Sequence, residues 1–123
     1  MNKEYRILVC GGRDYDDAQR LVKELDTIVD QYVPKDVRTV LIHGGARGAD
    51  ALAHSWAEYH NLKIMRFPAH WKRYGRAAGA IRNAQMLEEG RPDLVVAFPG
   101  GPGTANMLQQ AQKFDVNYII IKE

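Results

Sequence analysis

The chain predicts an α/β fold, a three-layer Rossmann-like sandwich with a mainly parallel five-stranded sheet. Three observations lead there. Short apolar runs alternate with amphipathic segments along the whole sequence. The apolar runs are continuous rather than alternating, as in strands buried on both faces. Three of them end in glycine-rich stretches that open helices: CGGRDYDD, HGGARGADA and FPGGPGTA.

Taken in order, YRILVC (5–10) reads as a buried strand. AQRLVKELDTIVDQY (18–32) follows, with Leu21, Leu25, Ile28, Val29 and Tyr32 at helical spacing, and Pro34 ends it. TVLIH (39–43) is a second strand, ALAHSWAEYH (51–60) a helix, and KIMRF (63–67) a third strand closed by Pro68. AHWKRYGRAAG (69–79) is irregular. AIRNAQMLEE (80–89) is helical, with Ile81, Met86 and Leu87 on its apolar side. LVVAF (94–98), TANMLQQAQKF (104–114) and NYIII (117–121) complete the series as strand, helix and strand. Without linker, repeat or low-complexity stretch, residues 1–123 are expected to form one domain.

Composition narrows the class. With 46% hydrophobic and 26% charged residues the chain is an ordinary globular one, and a net charge of +2 is no nucleic-acid signature by itself. The single cysteine, Cys10, excludes an internal disulfide and reads as a small buried hydrophobe. No apolar run approaches the roughly 20 residues that cross a membrane. MNKEYR is not followed by a hydrophobic signal segment, so a cytoplasmic protein without membrane partner is expected.

Ligands of open parallel sheets bind outside the carboxyl ends of the strands, where all three glycine turns must lie. Glycine admits close backbone approach, and its N–H groups, with those of a following helix's first turn, form a nest for an anion. Candidate ligand contacts in the first two turns are Gly11, Gly12, Arg13, His43, Gly44, Gly45, Arg47, Gly48 and Asp50. The third turn offers Pro99, Gly100, Gly101, Gly103, Thr104 and Asn106. Thr104 is a candidate cap of the last helix and Asp50 of the second. His43 points either at the ligand or into the sheet packing. Neither a Walker A lysine nor G-x-G-x-x-G spacing is present.

The stretch HWKRYGRAAGAIRNAQM adds Trp71, Arg76, Arg82 and Asn83, beside Lys72, Arg73 and Tyr74. A flat aromatic with guanidinium groups suits a base or ribose carrying phosphate. A solvated basic loop is the alternative. No cofactor and no metal site is indicated by the residues, since His54 and His60 lack metal-like partners.

GGR after a strand, then HGGARGAD, RYGRAAGAIRNAQM and FPGGPGTANM in that order, resemble the YspA/YpsA-related family of the SLOG superfamily. The resemblance spans about Tyr5 to Ile121 and implies a Rossmann-like domain with a pocket for a nucleotide-derived ligand. Relatives include the Lonely Guy phosphoribohydrolases and the DNA-processing protein DprA. The former carry PGGxGTxxE, whose acid works with an arginine on an N-glycosidic bond. Here the cradle Pro99, Gly100, Gly101, Gly103 and Thr104 is kept, while Asn106 or Met107 takes the acidic place. Arg82 would match the enzymes' arginine.

Three readings follow. In the first, the chain binds a small nucleotide derivative (a nucleoside phosphate, ADP-ribose-like or NAD-like) as a sensor or sequestering module. In the second it is an N-glycosidase or phosphoribohydrolase, with Arg82 polarising substrate and Asp14 or Asp50 as acid/base. Asp14 reads equally as a residue at the start of the first helix. The third, ranked last, is single-stranded nucleic-acid binding through Trp71 and Tyr74. The resemblance also opens a homodimer, with the helix at AIRNAQMLEE as one interface.

Overall fold

The computed structural model describes residues 3–123; positions 1 and 2 of the expected 1–123 domain lie outside them. The elements are β1 (Glu4–Cys10), α1 (Ala18–Tyr32), β2 (Arg38–His43), α2 (Ala49–Tyr59), β3 (Lys63–Arg66), α3 (Trp71–Tyr74), α4 (Ala78–Gly90), β4 (Leu94–Ala97), α5 (Pro102–Lys113) and β5 (Asn117–Ile120). The expected irregular stretch is thus short α3 plus a 3₁₀ turn over Gly75–Ala77. The five strands pair in the order β3-β2-β1-β4-β5, and every pairing is parallel.

Alternate strand residues feed two cores. Ile7, Val9, Leu41 and Val96 pack on one face against Leu21, Leu25 and Ile28 of α1 and Ala53, Trp56 and Ala57 of α2. Leu8, Cys10, Ile42 and Val95 pack on the other against Met86 and Leu87 of α4 and Met107 and Ala111 of α5. Period-2 side-chain alternation under a double-sided cover explains why the central runs are continuously apolar. Cys10 is indeed a buried small hydrophobe, and burial pushes its thiol up to about 12. No helix among the described residues is long and apolar enough to cross a membrane.

Several expected core residues are outside it. Tyr32, the last residue of α1, is 46% exposed, and Ile81, on the side of α4 away from Met86 and Leu87, is 40% exposed. The double-sided burial also stops at the sheet margins. On edge strand β5 Tyr118 is 39% and Ile120 51% exposed, because an edge strand has a neighbour on one side only.

The chain leaves β1 toward β2 on one side and returns to β4 on the other, so β1 and β4 flank the topological switch point. Their register ends on the pair Cys10↔Ala97, which brings the following loops side by side at one level. The Gly12 N–H donates to Pro99 O (2.9 Å), and Gly12 O accepts from Ala49 N–H at the start of α2 (3.1 Å). All three glycine turns therefore meet on one rim, as the strand order requires.

Gly48 makes that junction possible. Its φ is +78°, and a Cβ there would drive into the Gly12 carbonyl and lie 2.6 Å from the Arg13 carbonyl. Gly75 also has positive φ (+56°), but a Cβ there meets nothing within 4 Å. Gly48→Ala should therefore cost about 3 kcal/mol and Gly75→Ala about 1 kcal/mol in denaturant unfolding. Equal losses would show that the rim junction is not what Gly48 serves.

Candidate functional site

A cavity of about 500 Å³ opens at the switch point. Its floor is Cys10 and Met86, at the sheet end and on α4. Gly11, Gly12 and Arg13 form one wall, Gly101, Pro102, Gly103 and Thr104 a second, and Gly79, Ala80, Arg82 and Asn83 a third. Trp71, Arg76, Asp50 and Asn106 complete the lining with Val9 and Ala46. Arg13, Arg76 and Arg82 thus face one carboxylate, an arrangement that favours an anion. A Cβ on Gly101 or Gly103 would meet nothing within 4 Å, so the backbone itself borders open space there. By contrast, a Cβ on Gly11 would lie 2.6 Å from Ala49 Cβ, and on Gly100 2.7 Å from Gly12 N. The glycines divide accordingly. Some let the loops pack together, and others leave room above them.

Helix α5 starts earlier than its sequence suggests. Pro102 occupies the first turn and Gly101 the cap position, since proline's fixed φ suits a helix start. Thr104 is therefore a buried first-turn residue and not the cap. Likewise Gly48 caps α2, and Asp50 sits one residue inside it. Asp50 Oδ2 reaches back to accept from Gly44 N–H (3.1 Å) and Ala46 N–H (3.2 Å), stitching the loop after β2 to the helix. Asp50 is 7% exposed. Burial raises its pKa, opposed by the Ala46 N–H, the Arg82 charge, the Gly44 N–H and Arg13.

Arg82 and Asn83 belong to a polar chain across the cavity. Arg82 Nη1 donates to Gly44 O (2.6 Å) and Arg82 Nε to Asn83 Oδ1 (3.0 Å). Asn83 Nδ2 donates to Asn106 Oδ1 (3.0 Å) and Gly103 O (3.2 Å). Gln110 Nε2 donates to the same Asn106 oxygen (2.7 Å) and to Ala80 O (3.0 Å). Guanidinium can only donate and backbone carbonyls only accept, so the sense of every amide is determined. Asn106 is left with its NH₂ as the group it can offer. Of the two residues at the expected acidic place, Asn106 lines the cavity and Met107 is in the core.

Other sequence candidates are placed elsewhere. His43 is 2% exposed and turns away from the cavity. Its Nδ1 accepts from Gly45 N–H (2.9 Å), and its Nε2 meets Nδ1 of His54 at 2.9 Å. His54, expected to have no metal-like partner, is the hydrogen-bond partner of His43. Asp14 lies before α1, whose cap is Asp17, and its side chain is almost fully exposed, 3.7 Å from Arg47. It is therefore neither a helix residue nor a cavity residue. Gly44, Gly45 and Arg47 line an adjoining groove with Trp71 and Arg82; Pro99, Gly100 and Asp14 line a second. Lys72, Arg73 and Tyr74 lie outside the cavity, with the Arg73 guanidinium 5.2 Å from the Tyr74 ring. Trp71 instead carries Arg13 over its ring at 5.2 Å. Gly79, Ala80, Pro102 and Gln110 went unforeseen. The small pair Gly79-Ala80, one turn before Arg82, was the available signal.

A doubly wound module with a loop-built, arginine-rich cavity at its switch point is thus the class that fold and site define. The chain belongs to the YspA, cpYpsA-related SLOG family, which matches residues 5–74. It is also similar to the Gene 61 protein of Mycobacterium phage D29, 34% identical over 121 residues, covering 93% of this chain and 94% of that protein. Family membership makes the chain a nucleotide-related Rossmann-like module.

The buried histidine makes stability depend on pH. Burial above all, then His54, Arg66 and Arg82, lowers the His43 pKa to about 4 from 6.5. Between those values the unfolded chain binds more protons than the folded one, so stability falls as pH drops through the window. His43→Asn keeps an acceptor for Gly45 N–H and removes the titration. From pH 7 to pH 4 the native chain should lose on the order of 2–3 kcal/mol more than the variant. Asp50, whose shift acts in the opposite sense, is common to both and cancels. Parallel pH profiles in urea unfolding would count against this.

Proposed function

We propose that the protein binds a nucleotide-derived small molecule, phosphate first, in the switch-point cavity and acts as a sensor or sequestering module. The observation that carries this is the meeting of three arginines with the open backbone at Gly101 and Gly103 around about 500 Å³. That volume lies within the range of ordinary small-ligand sites. The first-turn N–H groups of α5 add the anion preference of a helix start. Trp71 supplies a flat surface at the mouth, where a base stacks while phosphate sits deeper. Neither Asn106 nor Met107, the two residues at the place where hydrolytic relatives are expected to carry an acid, is a carboxylate, which favours holding a ligand over cleaving it.

Calorimetric titration with AMP, ADP, ADP-ribose and NAD tests the reading. At least one should bind in the micromolar range. Arg76, which forms no side-chain hydrogen bond or ion pair among the described residues, can be removed without disturbing the loops. Arg76→Ala should weaken binding about tenfold at unchanged melting temperature. Absence of binding by all four nucleotides would sink the proposal.

One observation favours a second reading, turnover of an N-glycosidic bond. Asp50 is a buried carboxylate in the cavity with a raised pKa, the environment used for general acids. Incubation with the same nucleotides and chromatography for free base separates the two. Release of base that is lost in Asp50→Asn would establish the enzyme.

A further inference from the structure

Asp50 holds its loop with one oxygen only. Both backbone donors, Gly44 and Ala46, go to Oδ2. Among the described residues Asp50 forms no ion pair, although Arg82 and Arg13 are close enough to act on it electrostatically. Among the described residues no fully buried side-chain oxygen lacks a partner, so Oδ1 retains some access, and the space Asp50 borders is the cavity. A side chain more than nine-tenths buried therefore presents an unpartnered acceptor to a cavity whose other charged side chains are Arg13, Arg76 and Arg82.

Such an atom repels phosphate and needs an O–H or N–H from the ligand. Position decides between them. Asp50 follows β2, the strand beside β1, in a sheet of order β3-β2-β1-β4-β5. In dinucleotide folds of this strand order an acid about 20 residues past the first glycine turn meets the ribose while the turn meets phosphate; Asp50 lies farther along the chain, at the start of α2, and borders the same cavity as the first glycine turn. The flat surface suited to a base is Trp71, whose neighbours are Arg13 and Gly79 rather than Asp50.

We infer that Asp50 Oδ1 accepts a hydrogen bond from a ribose hydroxyl of the ligand, making the cavity selective for ribonucleotides over their deoxy forms. The inference rests on the nucleotide reading above. It makes Asp50 a specificity residue, with Oδ2 fixing its position and Oδ1 reading the sugar. A 2′-phosphate at that position would meet the carboxylate and be rejected.

Titration calorimetry on the full chain provides the test, with AMP and ADP against their 2′-deoxy and 3′-deoxy forms. Loss of one hydroxyl should weaken binding about tenfold or more, because it leaves the acceptor unpaired. Asp50→Asn can keep its oxygen on the loop amides and turn an NH₂ toward the cavity. It should bring ribo and deoxy forms to within about twofold of each other, with unchanged circular dichroism. Should that variant not fold, the ratio measured on the native chain decides alone. Equal binding of ribo and both deoxy forms overturns the inference and leaves the nucleotide reading standing. So does equal binding of these with weaker binding of inosine monophosphate, which would assign Asp50 to a base amine. Binding of none of the nucleotides overturns both.

Discussion

The peptide group of Gly12 ties the rim together. Its N–H is held by the loop after β4, and its carbonyl receives the first N–H of α2. Three loops from distant parts of the chain thereby share one residue's backbone, at the point where the sheet reverses direction. The absence of side chains at Gly11, Gly48 and Gly100 lets them come that close. Everything proposed for the cavity presupposes this junction, because it sets the distance between the β1 loop, the α2 start and the Gly101–Thr104 turn. A site held this way is formed before any ligand arrives, so binding carries little ordering cost.

Charge in the cavity follows from the same geometry. Arg82 is anchored to Gly44 O, and Asp50 to the N–H groups of Gly44 and Ala46, so opposite charges attach to one short loop without neutralising each other. Burial lowers the pKa of Arg82 and raises that of Asp50, which records the cost of keeping each away from water. This separation of charges leaves the carboxylate of the second turn bordering the cavity, although its sequence position suggested only a helix start.

Much of the fold was legible in the sequence because the signals were local. The helical spacing of Leu21, Leu25 and Ile28 and the runs around Leu8, Ile42 and Val95 need no tertiary knowledge. The rim was legible because strand order puts every strand end on one edge. What was not legible depended on side-chain direction. Whether His43 faces the ligand or α2 turns on its contact with His54, a residue eleven positions away with no motif to announce it. Asp14 and Asp50 looked alike as acids after glycine turns, yet one is solvent-exposed and the other buried. The start of α5 was misplaced since Pro102 hides an early helix turn inside a glycine-rich stretch. Periodicity places Tyr32 on the buried line of α1 but does not show that the core stops before the helix's last residue, and Ile81 is apolar on a side of α4 that Met86 and Leu87 do not share.

The amide chain from Arg82 to Gln110 gives the two walls of the cavity different responses to acidity. Asparagine and glutamine amides do not titrate, and guanidinium keeps its proton, so the donor offered by Asn106 is the same in acid and in neutral solution. Opposite it, Asp50 changes from acceptor to donor once protonated, and burial moves that change toward neutrality. The pocket thus has a permanent half and a conditional half. A ligand gripped by both would loosen on one side only as the surroundings acidify.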